Sequence, residues 1–306
     1  MAVVSHAVLI PTFRRPALLT ALIESLLAEV RAHDVVILIG DNDCDPAIAA
    51  LVADYAGQGD VRYLPVPERG VSQARNALIA EAMRVVPDWQ WLLMLDDDGT
   101  VTPGWYDALI GCGDSYAADL VGGPVEGVLP PDAGALARNS IFARRRRWPT
   151  GPVKLLNTTQ NLAVARRLLD RVSLPLFDSR YGASGGEDYD LFRRTAQAGG
   201  TLVWCDEAIV VEPAPPERLT TRALLHRYFS TGIYMAPIDS AYDGRKRGWL
   251  GAVKGLVLGT RDAMLGMATV RQDRAAGGVL MMAHHAGRLC GLAGARSARY
   301  VKIEGG

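Results

Sequence analysis

Asp96, Asp97 and Asp98 stand side by side at the end of the apolar run Trp91-Leu92-Leu93-Met94-Leu95, with Gly99 after them. Three adjacent carboxylates repel one another, so a site that uses them needs a cation nearby. Their hard oxygens suit Mg²⁺ or Mn²⁺, and such an ion can in turn hold a diphosphate. An apolar run that stops at acids reads as a buried strand delivering its carboxyl end to a ligand cleft. A solvated acidic turn is the reading that charge alone would allow. A second acidic group, Glu187-Asp188-Tyr189-Asp190, follows the glycine-rich segment Tyr181 to Gly186 and opens a helical pattern. Acids at that position are favoured by the helix dipole whatever else they do.

The elements that must position these acids alternate along the first half of the chain. Ala7 to Ile10 is an apolar run ending at Pro11-Thr12, and Leu18, Leu19, Leu22, Ile23, Leu26 and Leu27 then recur at helical spacing. Val35 to Ile39 is a second strand pattern, closed by Gly40 and Asp41-Asn42-Asp43. A helix around Ala47 to Tyr55, a strand near Val61 to Leu64, a helix over Ser72 to Met83 and the strand Trp89 to Leu95 complete the series. This alternation predicts an α/β fold with a mostly parallel sheet and its chemistry at the strands' carboxyl ends. Farther on, Asn161 to Leu169 reads as a strand leading into a helix, Leu191 to Gln197 as a helix, and Leu202 to Trp204 and Ile209 to Val211 as short strands. The run Arg144 to Arg147 before Trp148 reads either as a solvated cluster or as a flap over an anionic ligand.

The 306 residues carry a formal net charge of zero, unevenly spread. Residues 1–221 hold 20 basic and 28 acidic side chains, and residues 222–306 hold 13 and 5. An acidic body with a basic tail suggests that the tail meets something anionic. Cys44, Cys112, Cys205 and Cys290 have neither metal-ligand spacing nor a disulfide framework, which fits reduced thiols and a cytoplasmic setting. No stretch reaches the length of a transmembrane span, and the apolar start reads as a strand rather than a signal peptide.

Six segments in order resemble the inverting family 2 glycosyltransferases of the GT-A fold. These are VLIPTFRRP from Val8, IGDNDCD from Ile39, ERGVSQARNALIAEA from Glu68, LMLDDDGTVTPGW from Leu93, NTTQNLAVARRLL from Asn157 and GGEDYDLFRRTAQAGG from Gly185. The resemblance covers about residues 6–212. It implies a GT-A (nucleotide-diphospho-sugar transferase-like) α/β domain over 1–221, with a C-terminal helical appendage over 222–306. It also implies a nucleoside-diphosphate sugar donor, with UDP favoured, and a hydroxyl acceptor; the basic tail with its apolar helices favours a lipid-linked or surface glycan as that acceptor, and nucleic acid is not among the expected partners. Pro11, Thr12, Arg14, Asp41, Arg75, Asp96 and Asp97 fall to the donor, Asp98 to a Mg²⁺ or Mn²⁺ ion, and Asp188 to the general base. His226 is set outside the metal site.

The tail admits two placements. Trp249 to Met267 and Gly278 to Leu292 are apolar and rich in Gly, Ala and Met, with Lys254 and Arg261 seven apart on one helical face. Such helices either pack on the catalytic body or lie in an anionic membrane interface on the cytosolic side. The rival chemistry is that of a haloacid-dehalogenase-like Mg²⁺-dependent phosphatase, in which Asp96 is the nucleophile and Asp98 assists the ion. It leaves IPTFRRP and GVSQARN without a role.

Overall fold

The apolar run at the start of the chain becomes strand β1 (His6–Thr12), with Ala7 to Ile10 buried. Pro16 opens helix α1 (Pro16–Val30), where its missing N–H breaks no bond. Leu19, Leu22, Ile23, Leu26 and Val30 turn inward from α1 at helical spacing. Strand β2 (Val35–Asp41) is buried along its whole length. Asp45 then caps α2 (Pro46–Ala53) by accepting from the Ala47 amide. Strand β3 (Asp60–Pro65), helix α3 (Val71–Val85) and strand β4 (Trp91–Leu95) follow. Helix α3 lies so close to β2 that a Cβ at Gly40 would come within 2.8 Å of the Leu78 side chain. The structure, a computed structural model, describes residues 6–182 and 185–296.

Next come β5 (Thr100–Val101), α4 (Trp105–Ser115), β6 (Leu120–Gly122), β7 (Val125–Val128), α5 (Ala135–Arg138), β8 (Gly151–Pro152) and β9 (Asn161–Ala165). They are followed by α6 (Glu187–Gln197), β10 (Leu202–Trp204) and β11 (Val210–Pro213). The main sheet has the order β3-β2-β1-β4-β9-β6-β10-β8. Its first four strands are parallel, and β9 runs antiparallel to both of its neighbours. The expected α/β class with a mostly parallel sheet is what the chain adopts. Apolar clusters fill both faces of the sheet. At its centre Asn161 is fully buried and satisfied: it accepts from the Trp105 indole at 2.9 Å and donates to the Pro124 and Ala208 carbonyls. One local expectation differs. After β9 the chain enters a 3₁₀ segment, Arg166–Asp170, rather than an α-helix.

The chain divides into two compact units. The first contains Met1–Val125, Arg146–Gly182 and Glu187–Glu212; the second contains Glu126–Arg145, Ala183–Gly186 and Pro213–Gly306. In the second unit α9 (Gln272–Leu292) lies between α7 (Thr221–Asp243) and α8 (Arg245–Ala268). Thr220 caps α7 through the Ala223 amide. Arg288 of α9 and Asp239 of α7 form a largely buried ion pair at 2.7 Å. No described helix is long and apolar enough to cross a membrane, and all four cysteines are free. Residues 2–5 of the apolar start, Ala183 and Ser184 of the glycine-rich loop, and residues 297–306 of the basic tail lie outside the described residues.

Candidate active site

Strands β1, β2 and β4 are parallel neighbours, so their carboxyl ends share one edge of the sheet. Pro11 and Thr12 end β1 in register with Gly40 and Asp41 of β2, and Asp96 to Asp98 continue directly from β4. The register therefore gathers three of the sequence segments that carry the donor-side expectations, and α3 supplies the fourth.

Asp97 is the best-held of the three acids. Its carboxylate accepts from the Thr12 hydroxyl at 2.8 Å, from the Phe13 amide at 3.3 Å and from Arg15 Nη1 at 2.9 Å. The same Arg15 nitrogen lies 2.8 Å from Asp98 Oδ2, so one guanidinium spans two buried carboxylates. Burial pushes the Asp97 carboxyl up to about 6 despite the opposing charge of Arg15. Arg15 supplies the positive charge that three crowded acids require.

Asp96 is served by a different cation. Arg75, on α3 and buried, donates to Asp96 at 2.9 Å and to Glu187 at 2.6 Å. Burial opposes its charge, and Asp96, Glu187 and Asp188 more than offset that, holding its pKa above the ordinary value. Burial, and then the neighbouring Asp188, push the Glu187 carboxyl up. Arg75 thus ties the acids after β4 to the first turn of α6. Asn76, next on α3, reinforces this by exchanging hydrogen bonds with the Phe177 backbone, donating at 2.6 Å and accepting at 3.1 Å. Asp188 is the second residue of α6; it is half-buried, and its Oδ1 accepts from the Tyr189 amide at 2.7 Å. Farther along that helix Asp190 pairs with Arg194 at 2.7 Å.

Asp41 is placed inside the turn after β2 and is fully buried. Its carboxylate accepts from the Asp43 amide at 2.9 Å, the Asp45 amide at 2.7 Å and the Tyr63 hydroxyl at 3.1 Å. Those bonds shape the turn from within. Asn42 adds to it, donating to the Val66 and Glu68 carbonyls and accepting from the Gly70 amide just ahead of α3. Arg14 adopts a left-handed backbone (φ 55°), and its exposed guanidinium pairs with Asp43 at 2.7 Å instead of with Asp96 to Asp98. Arg69 joins the same carboxylate, and both guanidiniums stack near the Phe13 ring, at 5.0 and 4.8 Å from its centre.

The remaining expectations fall as follows. Arg147 pairs with Asp206 at 2.6 Å, Arg146 stacks on Trp148, and Trp148 packs edge-on against Trp204. His226 is exposed on α7. Arg15 is the group that sequence reasoning missed. Two adjacent arginines of one type precede Pro16, and the turn that separates their directions lies in the backbone of Arg14. Among the described residues no three His, Cys, Asp or Glu side chains converge into a ready-made metal shell.

The profile described as "Glycosyl transferase family 2" matches residues 7–172, more than half of the chain. The chain belongs to glycosyltransferase family 2. It is a glycosyltransferase, and the phosphatase reading of Asp96 and Asp98 falls away. The chain is also 29% identical over 296 residues to the succinoglycan biosynthesis protein ExoM of Rhizobium meliloti (strain 1021), a match covering 92% of this chain and 91% of the relative. Among solved structures it resembles S. aureus TarS 1–349 (TM-score 0.52, 14% identity, 95% of this chain and 92% of that one). GalNAc-T7 with UDP, GalNAc and Mn²⁺ is similar over 80% of this chain (TM-score 0.57, 14% identity), and the match spans about half of that protein at 51%. At such identities these two likenesses establish the GT-A fold.

Proposed function

We propose that this glycosyltransferase moves a sugar, a hexose or hexose derivative, from a UDP-sugar to a hydroxyl of a growing surface glycan, inverting the anomeric centre in one displacement. The observation that carries the reading is the buried Arg75, which joins Asp96 to Glu187, the residue before Asp188. In the step, Asp188 accepts the acceptor's hydroxyl proton as that oxygen bonds to the anomeric carbon. The bond from the anomeric carbon to the β-phosphate oxygen breaks, and its electron pair leaves with the diphosphate. Pro11, Thr12, Arg14 and the turn shaped by Asp41 serve the nucleoside. Asp96 and Asp97 face the donor, and Arg75 holds Asp96 in place.

The donor set suits a hard divalent ion, since the acidic groups at this edge offer carboxylate oxygens and Arg15 already marks where they need positive charge. Asp98 would hold Mg²⁺ or Mn²⁺ with Asp97 beside it, and the diphosphate and water would complete the coordination. Such an ion, when bound, withdraws charge from the leaving diphosphate. GalNAc-T7 carries UDP and Mn²⁺ in its structure, and TarS has been solved with UDP-GlcNAc; both support a UDP-sugar and a divalent ion here. ExoM's role in succinoglycan biosynthesis supports a polysaccharide as the acceptor, and the basic C-terminal helices favour one carried on a lipid at the cytosolic membrane face.

A calorimetric panel of UDP, GDP and dTDP with and without Mn²⁺ tests the donor side. UDP is expected to bind best, and only with the ion; Asp98→Asn is expected to abolish the ion dependence while leaving the fold intact. Equal UDP affinity with and without Mn²⁺ in the native protein would overturn the metal assignment.

A further inference from the structure

Helix α8 is built inside out. Its buried residues are Gly248, Ala252, Gly255, Gly259, Ala263 and Gly266, spaced by three and four so that they form one stripe of glycine and alanine. Its large apolar residues face the other way. Leu250 is 72% exposed, Val257 63%, Met264 61% and Met267 66%, with Trp249 and Val253 beside them. A helix packed only to remove apolar area from water would turn that face inward.

The small stripe serves close backbone approach. A Cβ on Gly259 would lie 2.9 Å from the Met282 amide nitrogen of α9, and one on Gly266 or Gly278 would overlap the facing backbone. Helix α9 meets α7 in the same manner, through Gly287 and Gly291 against the Phe229 and Ile233 carbonyls. Small residues at helix contacts with large apolar residues outside is the arrangement of helices whose surroundings are themselves apolar.

The charges name the surroundings. Five basic residues (Arg245, Lys246, Arg247, Lys254 and Arg261) and one acid, Asp262, lie on α8. Asp262 pairs with Arg274 at 2.9 Å and with Arg261 at 3.2 Å. Lys254 and Arg261 flank the apolar stripe along one side. At its start an open depression of ≈ 480 Å³ is lined by Asp243, Gly244, Arg245, Lys246, Arg247 and Leu250, so three cations gather beside an exposed leucine. With 24 residues, α8 is about 36 Å long. It is not apolar enough to cross a bilayer.

We propose that the outer face of α8 docks on an anionic lipid surface. The helix lies in the interface plane, with Leu250, Val253, Val257 and Met264 at the headgroup–acyl boundary and the flanking Lys and Arg side chains on lipid phosphates. A second copy of the chain is the weaker occupant, because two faces of net positive charge would meet. The proposal deepens the lipid-carrier reading above by naming the surface that brings the enzyme to its acceptor, and it rests on that reading for its purpose. The binding itself is measured without any sugar transfer.

The experiment is flotation of the full chain with phosphatidylcholine vesicles, with and without about one-third phosphatidylglycerol, alongside donor-binding calorimetry and sedimentation velocity on the same preparation. Flotation is expected with the anionic vesicles only, weakening as salt is raised. The variant carrying Leu250→Glu and Val257→Glu is expected to lose flotation while keeping its melting temperature and UDP affinity. Lys254→Gln alone is expected to weaken vesicle binding about fivefold. Flotation unchanged in the double variant, or absent in the native chain, would overturn the proposal. So would a native dimer that the double variant dissociates, which would give the face to a second copy. Loss of UDP binding with flotation intact would strike the donor reading and leave this one standing.

Discussion

The sheet unit buries Trp89, Trp91, Trp105, Trp204, Phe177 and Phe192 almost completely, whereas the inward face of α8 buries nothing larger than alanine. The first is held by removing large apolar side chains from water, at about 25 cal/mol per Å². The second is held by backbones lying against one another, with the large side chains of α8 left outside. Charge is handled differently as well. In the sheet unit four ion pairs stand at the carboxyl edge of the strands, where Arg15 and Arg75 divide three aspartates and a glutamate between them. In the helical unit the buried pair Arg288–Asp239 links two helices, and the exposed cations border the apolar face of α8. One unit gathers paired charges at its sheet edge, and the other presents an apolar face bordered by cations.

Substitutions can break that contrast. The largest effect is expected from Arg75→Met, which strips Glu187 of its buried partner and should cost about 3–5 kcal/mol by chemical denaturation. A loss near zero would mean that the carboxylates need no clamp. Next is Gly287→Val, whose side chain would overlap the Phe229 carbonyl; about 3 kcal/mol is expected. A tolerant Gly287 would remove close backbone approach as the organising feature of the helices.

A smaller effect is set by acid. Burial, with help from His285 and Arg288, lowers the His284 pKa to about 4, against the Tyr228 carbonyl and Asp239, which raise it. The unfolded chain, with an ordinary histidine near 6.5, then binds the proton more readily than the folded one. Stability contributed by neutral His284 is therefore complete above about pH 6.5 and lost as pH falls toward 4. Allowing for partial solvent access, the loss is about 2 kcal/mol. Melting temperatures of the native chain and of His284→Gln should draw together as pH falls from about 6.5 toward 4, the variant's curve being the flatter; parallel curves would exclude His284 as the source. The smallest effect is expected at the outer face, where Val257→Ser should stay within about 0.5 kcal/mol. A cost like that of Gly287→Val would show that Val257 is packed.

The order of strands and helices through β4 was legible because buried runs and helical spacing alternate cleanly there, and the acids after Leu95 were legible because an apolar strand stops at them. Their partners were not. Periodicity cannot choose between Arg14 and Arg15, and it took the left-handed turn at Arg14 to send one to Asp43 and the other to Asp97 and Asp98. The resemblance gave Asp41 to the donor; the bonds that its carboxylate accepts within the chain come from two amides beyond it and from Tyr63 on the next strand. The spacing of Lys254 and Arg261 gave one edge of α8 correctly. That the glycines rather than Leu250, Val253 and Val257 face inward follows from the close approach of α9, which no local pattern encodes.

The most direct test of the catalytic account is Asp188→Asn, with transfer rate and donor affinity measured on one preparation. The amide keeps the Oδ1 acceptor that meets the Tyr189 N–H, so the start of α6 should survive. In the proposed mechanism Asp188 takes the acceptor proton and is needed only when a hydroxyl attacks. Transfer is therefore expected to fall by about 100-fold or more, while UDP-sugar and Mn²⁺ affinities stay within about twofold. Transfer at near-normal rate with the donor still bound would contradict the account and move the base elsewhere.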